Sequence, residues 1–135
     1  MNTRINVVAI IEKEGNILLG KKAKGIGPYP NKWLIPGGGV EKNETLEEAL
    51  RREVREETNV EIENIRKVYE DEDIVWKNGE KQHFIYKTFH VDYINGQLKP
   101  TSDLIHLRWV KRDNLKHYDI CKPSIALFKH LGWIV

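Results

Sequence analysis

Cysteine is nearly absent: Cys121 is the only one in 135 residues. A lone thiol excludes an intrachain disulfide and any multi-cysteine metal centre, and makes a reducing, cytoplasmic setting the default expectation. No apolar run reaches the length of a bilayer span, so no membrane partner is expected. Met1 to Arg4 lead directly into a β-branched stretch, without the profile of a secretory leader. An excess of one charge is lacking too. The 22 Lys and Arg stand against 20 Asp and Glu, a formal charge of +2, too balanced for a nucleic-acid partner. Repeats, low-complexity tracts and linkers are also missing. What is present is 40% hydrophobic and 31% charged, the composition of one globular domain over 1–135.

Arg4 to Glu12 is a β-branched run. Glu14-Gly15-Asn16 signals a turn, and Ile17 to Lys22 reads as a second strand, antiparallel to the first. Gly25 to Asn31 is a Gly/Pro loop, and Trp33-Leu34-Ile35 is a short strand cut off by Pro36 and three glycines. Thr45 to Thr58 is the clearest helix. Thr45 with Glu48 three residues on forms a capping box, and the interior holds good helix formers without Gly or Pro. Val60 to Val68 reads as a strand, followed by a hairpin of Ile74-Val75-Trp76, a turn at Asn78-Gly79, and a long strand from Gln82 to Tyr93. A last strand is expected over His106–Val110 and a C-terminal helix over Ser124–Leu131, with Pro123 before it and Gly132 after. Strands and helices do not alternate regularly, so a mixed sheet between helices is expected rather than a doubly wound parallel one.

On a helical wheel, Leu46, Ala49, Leu50 and Val54 form one apolar stripe, while Glu47, Glu48, Arg51 and Arg55 fall on the solvated face. Glu53 and Glu57 lie on the same side as the stripe, with Glu56 at its edge. Three carboxylates crowd one face near the helix C-terminus, where the dipole disfavours negative charge. Burying them unpaired is costly. Two compensations are open: an ion-pair network with Arg51, Arg52 and nearby lysines, or a divalent cation. All-oxygen ligation suits a hard ion such as Mg²⁺ or Mn²⁺. Gly37-Gly38-Gly39, between a strand and this helix, allows close backbone approach to a ligand. Taken together, these features suggest a metal and an anionic phosphate substrate.

The segment from Gly38 to Val60 resembles the Nudix box, G-x5-E-x7-R-E-U-x-E-E-x-G-U with U aliphatic. Gly38, Glu44, Arg52, Glu53, Val54, Glu56, Glu57 and Val60 match in identity and spacing. Asn59 stands where the pattern has its second glycine, and Asn is the usual substitute for a left-handed residue at a helix end. More weakly, the Leu34-Ile35-Pro36-Gly37-Gly38 lead-in and the Arg108-Trp109-Val110 strand are also similar to the family. The resemblance implies an α/β/α sandwich around a mixed sheet and hydrolysis of a diphosphate linkage in a nucleotide with Mg²⁺ or Mn²⁺. By position it implies metal binding by Glu53, Glu56 and Glu57, with a further backbone carbonyl at Gly37 or Gly38. Glu44 and Arg52 are implied to pair and orient the box.

For the general base, the contenders are Glu53 and Glu56, with Asp103 in a later loop as the alternative base or ligand. Lys21 and Lys22 end the second strand, where alternation turns only one of them inward to phosphate. Gly38 and Gly39 are candidates to approach the substrate backbone to ligand. Tyr29, Trp76, Phe84 and Tyr86 are candidates to stack on a base, or else are core. The short chain and its Leu-Leu-Gly-Lys-Lys strand look MutT-like, which implies a nucleoside triphosphate cleaved to monophosphate and pyrophosphate. Nucleotide sugars, dinucleoside polyphosphates and a non-catalytic ligand-binding module are the alternatives; the intact acid set favours catalysis. Homodimers are common in the family, which makes one possible here.

Overall fold

A computed structural model describes residues 2–135. Two long strands set its frame. The first, β1 (Asn2–Lys13), turns through Glu14-Gly15 into β2 (Asn16–Lys22). Only the turn ends pair, at Glu12 opposite Ile17 and Lys13 opposite Asn16. Beyond them the two strands part. β2 pairs with β3 (Trp33–Leu34) and with β7 (Leu104–Lys111), while β1 pairs with β4 (Gly37–Gly39) and, in parallel, with β6 (Glu80–Asn95). The edge strand is β5 (Glu61–Lys77), antiparallel to β6.

The helix α1 (Leu46–Thr58) covers one face and α2 (Lys122–His130) the other. Alternation along β1 explains both layers. Val7, Ala9 and Ile11 pack with Ala49, Leu50 and Val54 of α1, whereas Ile10 packs with Leu127 and Phe128 of α2. This is the expected α/β/α sandwich on a mixed sheet. No helix among the described residues is long and apolar enough to cross a membrane.

Several boundaries differ from the sequence expectation. The three glycines do not end a strand; they are one. Gly37, Gly38 and Gly39 lie opposite Val8, Val7 and Asn6, and a Cβ on Gly37 would meet Val7 O at 2.1 Å. Glycine is here a condition for pairing rather than a turn signal. The two segments expected at 60–68 and 74–76 are joined, from Glu61 on, in a single 17-residue strand. Its register slips between Glu63 and Arg66 and again between Lys67 and Tyr69, which breaks the period-two pattern. A 3-10 turn over Arg112–His117 follows β7 and was not expected.

Candidate active site

The capping box at Thr45 and the left-handed Asn59 fix both ends of α1. Thr45 Oγ1 accepts from Glu48 N, Glu48 returns a bond to Thr45 N, and Asn59 sits at φ 67° with its N–H donating to Arg55 O. The Asn59 side chain also donates to Gln97 O at 2.9 Å, a contact glycine lacks. The helix is thereby clamped with its carboxylates toward β4.

Arg52 organises that face. Its Nε and Nη2 hold both oxygens of Glu44 at 2.7 and 2.9 Å, and Nη2 also reaches Gly39 O at 3.1 Å. Nη1 donates to Glu53 Oε1 at 2.8 Å and lies 3.4 Å from Glu56 Oε2. The Arg52 guanidinium holds the Glu44 carboxyl far below the usual range, at about 2. Glu53 is pushed up: burial outweighs the pull of Arg52, and the charges of Glu56 and Asp103 add to the upward push. Glu57 is 6% exposed, and among the described residues it is the one acidic or basic side chain that is buried. Burial pushes it up to about 8, against the Gly37 N–H that donates to Oε1 at 2.8 Å and the charge of Lys22, and with the charges of Glu53 and Asp103.

These groups border a cleft of two chambers. The outer one, about 460 Å³, is polar: Glu53, Glu57 and Asp103 face Lys22, Arg4 and Lys77. The inner one, about 110 Å³, is bordered by Tyr29, Tyr86, Leu34, Ile35, Cys121 and Ser124 among others. Glu57, Gly37, Gly38 and Lys22 border both. Three cross-strand rows of β1, β6 and β5 make the floor: Arg4, Phe84, Asp73; Asn6, Tyr86, Asp71; and Val8, Thr88, Tyr69.

Both compensations foreseen for the carboxylates bear on this geometry. Arg52 occupies one oxygen of Glu53, but Glu57 has no arginine partner among the described residues. No three acidic, His or Cys side chains among those residues are already gathered into a cage. The donor set nevertheless fits a hard divalent cation. It is all oxygen, and the charges of Glu56 and Asp103 push Glu53 up while those of Glu53 and Asp103 push Glu57 up, adding to burial and outweighing what Arg52 and Lys22 offset, a surplus a cation would relieve. The space is also kept open, since a Cβ on Gly38 would lie 2.4 Å from Glu53 Oε2.

The structure brings together most of the candidate residues, and leaves some out. Lys22 enters the cleft and chelates Asp103 through Nζ, 2.8 Å from Oδ1 and 2.9 Å from Oδ2. Lys21, one residue earlier, is paired opposite Trp33 and His106, outside both chambers. Glu56 stands at the rim with its carboxylate 60% exposed. Tyr29, Tyr86 and Phe84 border the cleft. Trp76 does not: it is 65% exposed, with Lys81 Nζ 5.3 Å over its ring. Asp71, Asp73 and Lys77 share the parity that faces the cleft, and Trp76 has the other. Arg4, Lys77, Asp71 and Asp73 were not anticipated. The signal for the last two was the alternation Tyr69, Asp71, Asp73, hidden when β5 was divided. Cys121 is buried and borders the inner chamber, and burial pushes its thiol up.

A NUDIX domain model matches residues 2–131. Nucleoside triphosphatase NudI of Escherichia coli K12 is 36% identical over 127 residues, covering 89% of this chain and 90% of that protein. Among solved structures, a MutT NUDIX hydrolase from Burkholderia pseudomallei superposes with a TM-score of 0.84 at 24% identity, over 96% of this chain and 98% of that one. The E. coli ORF135 protein gives 0.74 at 27% identity, over 98% and 92%. With every acidic position of the box in place, the chain belongs to the Nudix hydrolase family, enzymes that cleave phosphorus-containing anhydrides.

Proposed function

We propose that this protein hydrolyses nucleoside triphosphates to monophosphate and pyrophosphate, dependent on Mg²⁺ with Mn²⁺ as an alternative. The observation that carries the reading is the two-chambered cleft with Glu57 at its junction: charged groups of both signs outside, aromatic rings inside. That arrangement matches a ligand with a polyphosphate at one end and a flat base at the other. The name of the NudI relative, a nucleoside triphosphatase, agrees with it.

Glu53, Glu56 and Glu57 would hold the cation, with a carbonyl of Gly37 or Gly38 and with Asp103 as further donors. A divalent ion there supplies screening of phosphate charge and acidification of a bound water. Glu53 is the favoured base. Its Oε2 faces the outer chamber beside Gly38, its Oε1 is steadied by Arg52, and its raised proton affinity suits it to accept the proton of the attacking water. Arg52 and Glu44 position that carboxylate. Lys22, Arg4 and Lys77 face the phosphates and offset charge on the leaving group. Tyr29 and Tyr86 border the space for the base, and Phe84 borders the outer chamber.

A panel of nucleotides with Mg²⁺, read by phosphate release with and without added pyrophosphatase, tests this. Signal appearing only with pyrophosphatase supports cleavage to monophosphate and pyrophosphate. Release of sugar phosphates or nucleoside diphosphates from other substrates would replace the triphosphate assignment, and silence across the panel would return the chain to a binding role.

A further inference from the structure

The inner chamber contains a chain of hydroxyl groups whose direction can be worked out. Tyr86 donates to Tyr29 Oη at 3.2 Å, and Tyr29 donates to Asp73 Oδ2 at 2.7 Å. Asp73 Oδ1 accepts from Lys122 Nζ at 3.1 Å and from the Ile74 backbone N–H at 3.0 Å. A carboxylate ringed by donors only accepts. The one proton of Tyr29 is therefore committed to Asp73, its oxygen must accept, and the one proton of Tyr86 is committed to Tyr29. What Tyr86 Oη retains for a ligand is lone pairs. Asp71, beside Tyr86 in the same cross-strand row, is a second acceptor bordering the chamber. Ser124 Oγ accepts from Cys121 Sγ at 3.3 Å and the Thr88 hydroxyl rotates to serve either role, while the donors Lys22 and Asn6 border both chambers and so stand at the junction, toward the phosphate side. Burial raises the proton affinity of both phenols, which keeps them neutral and the relay intact.

We infer that the inner chamber selects a nucleobase whose inserted edge carries an N–H donor, and disfavours a base that offers acceptors alone. Tyr86 Oη is the specificity-determining contact, and Tyr29 and Asp73 are positioning residues that fix its polarity. The inference rests on the proposed placement of the base in this chamber.

The test compares nucleotides that differ by one amino group: adenosine triphosphate against purine riboside triphosphate, and cytidine triphosphate against 2-pyrimidinone riboside triphosphate. The second member of each pair has no N–H on its base and adds no bulk. For whichever pair is turned over with Mg²⁺, kcat/KM is expected to favour the amino-bearing member by roughly 10- to 100-fold, because a buried acceptor is otherwise left unpaired. Tyr86→Phe should bring that ratio toward one. Tyr29→Phe should narrow it differently, by freeing the Tyr86 proton and raising kcat/KM for the acceptor-only member. Asp73→Asn, whose amide can donate to Tyr29, should act in the same direction and serves if Tyr29→Phe does not fold.

A wild-type ratio near one overturns the inference while leaving the hydrolase reading in place. So does a parallel loss for both members in the variants, which is what a merely structural role would give. If neither pair is hydrolysed, binding replaces turnover as the readout. Calorimetric titration of the same pairs then decides: unequal Kd in the stated order supports the inference, and equal Kd or no binding overturns it.

Discussion

Glu57→Gln should make the protein more stable and less active at once. The unfolded chain releases the Glu57 proton near the ordinary value of 4.5, whereas the folded chain keeps it to about 8. Over that span the native state binds more protons, so stability is fully present below 4.5 and is lost as pH rises through 8. At 1.36 kcal/mol per pH unit, the metal-free fold gives up roughly 4 kcal/mol by pH 8 and above. Glutamine removes this penalty while keeping the local bond, since its amide oxygen can accept from Gly37 N as Glu57 Oε1 does at 2.8 Å.

Thermal unfolding in EDTA between pH 5 and 9 provides the assay. Wild-type Tm should fall across the range, whereas the variant should stay nearly flat, with a gap on the order of 10 °C at the alkaline end. Turnover with Mg²⁺ should drop by at least about a hundredfold, as when one preorganised charge partner of a reaction is removed. Metal affinity of the wild type should rise with pH, because ligation must displace the retained proton. A variant less stable than wild type at pH 8 without metal would refute the burial argument. Near wild-type turnover would refute the assignment of Glu57 as a ligand.

Gly38→Ala places a methyl 2.4 Å from Glu53 Oε2; displacing that carboxylate by about 1 Å should cost on the order of a hundredfold in kcat, with a Tm loss of only a few degrees. Arg52→Lys cannot reproduce the two bonds to Glu44 together with those to Gly39 O and Glu53; kcat should fall more than KM changes, measured at fixed Mg²⁺. Asn59→Gly should alter Tm little, because relief at φ 67° is offset by loss of the bond to Gln97 O.

How much of this was legible in the sequence depended on whether local and long-range forces agreed. In α1 they did. The capping box, the run of helix formers and the Asn59 cap act within a few residues of one another, and the helix begins and ends where they place it. The α/β/α layering followed because the apolar alternation of β1 serves a helix on each face. In β4 they disagreed. Glycine has low strand propensity, yet at position 37 β1 lies so close that only glycine can pair with it, and at position 38 the Glu53 carboxylate leaves no room for a side chain. In β5 the register slips erased the alternation, and residues 69–73 fell between the two strands expected there. The inner chamber was lost with it, since Asp71 and Asp73 reach Tyr86 and Tyr29 only through a continuous strand. Trp76 shows the same failure from the other side: its aromatic character suggested a base platform, but parity turned it away.

The position most at odds with folding rules is the one closest to the proposed chemistry. A glutamate in the last turn of α1 faces the unfavourable end of the helix dipole, and Glu57 is also buried beside other acids. Local interactions soften the conflict without resolving it: Gly37 N donates to one oxygen of Glu57, and Arg52 holds Glu53 and Glu44 nearby. Had selection acted only on stability, a neutral side chain at 57 would be the better solution at neutral pH. A carboxyl that burial makes costly to ionise, held beside Glu53 and Asp103, is what a metal-dependent hydrolase would require and what a purely structural ion-pair network would not.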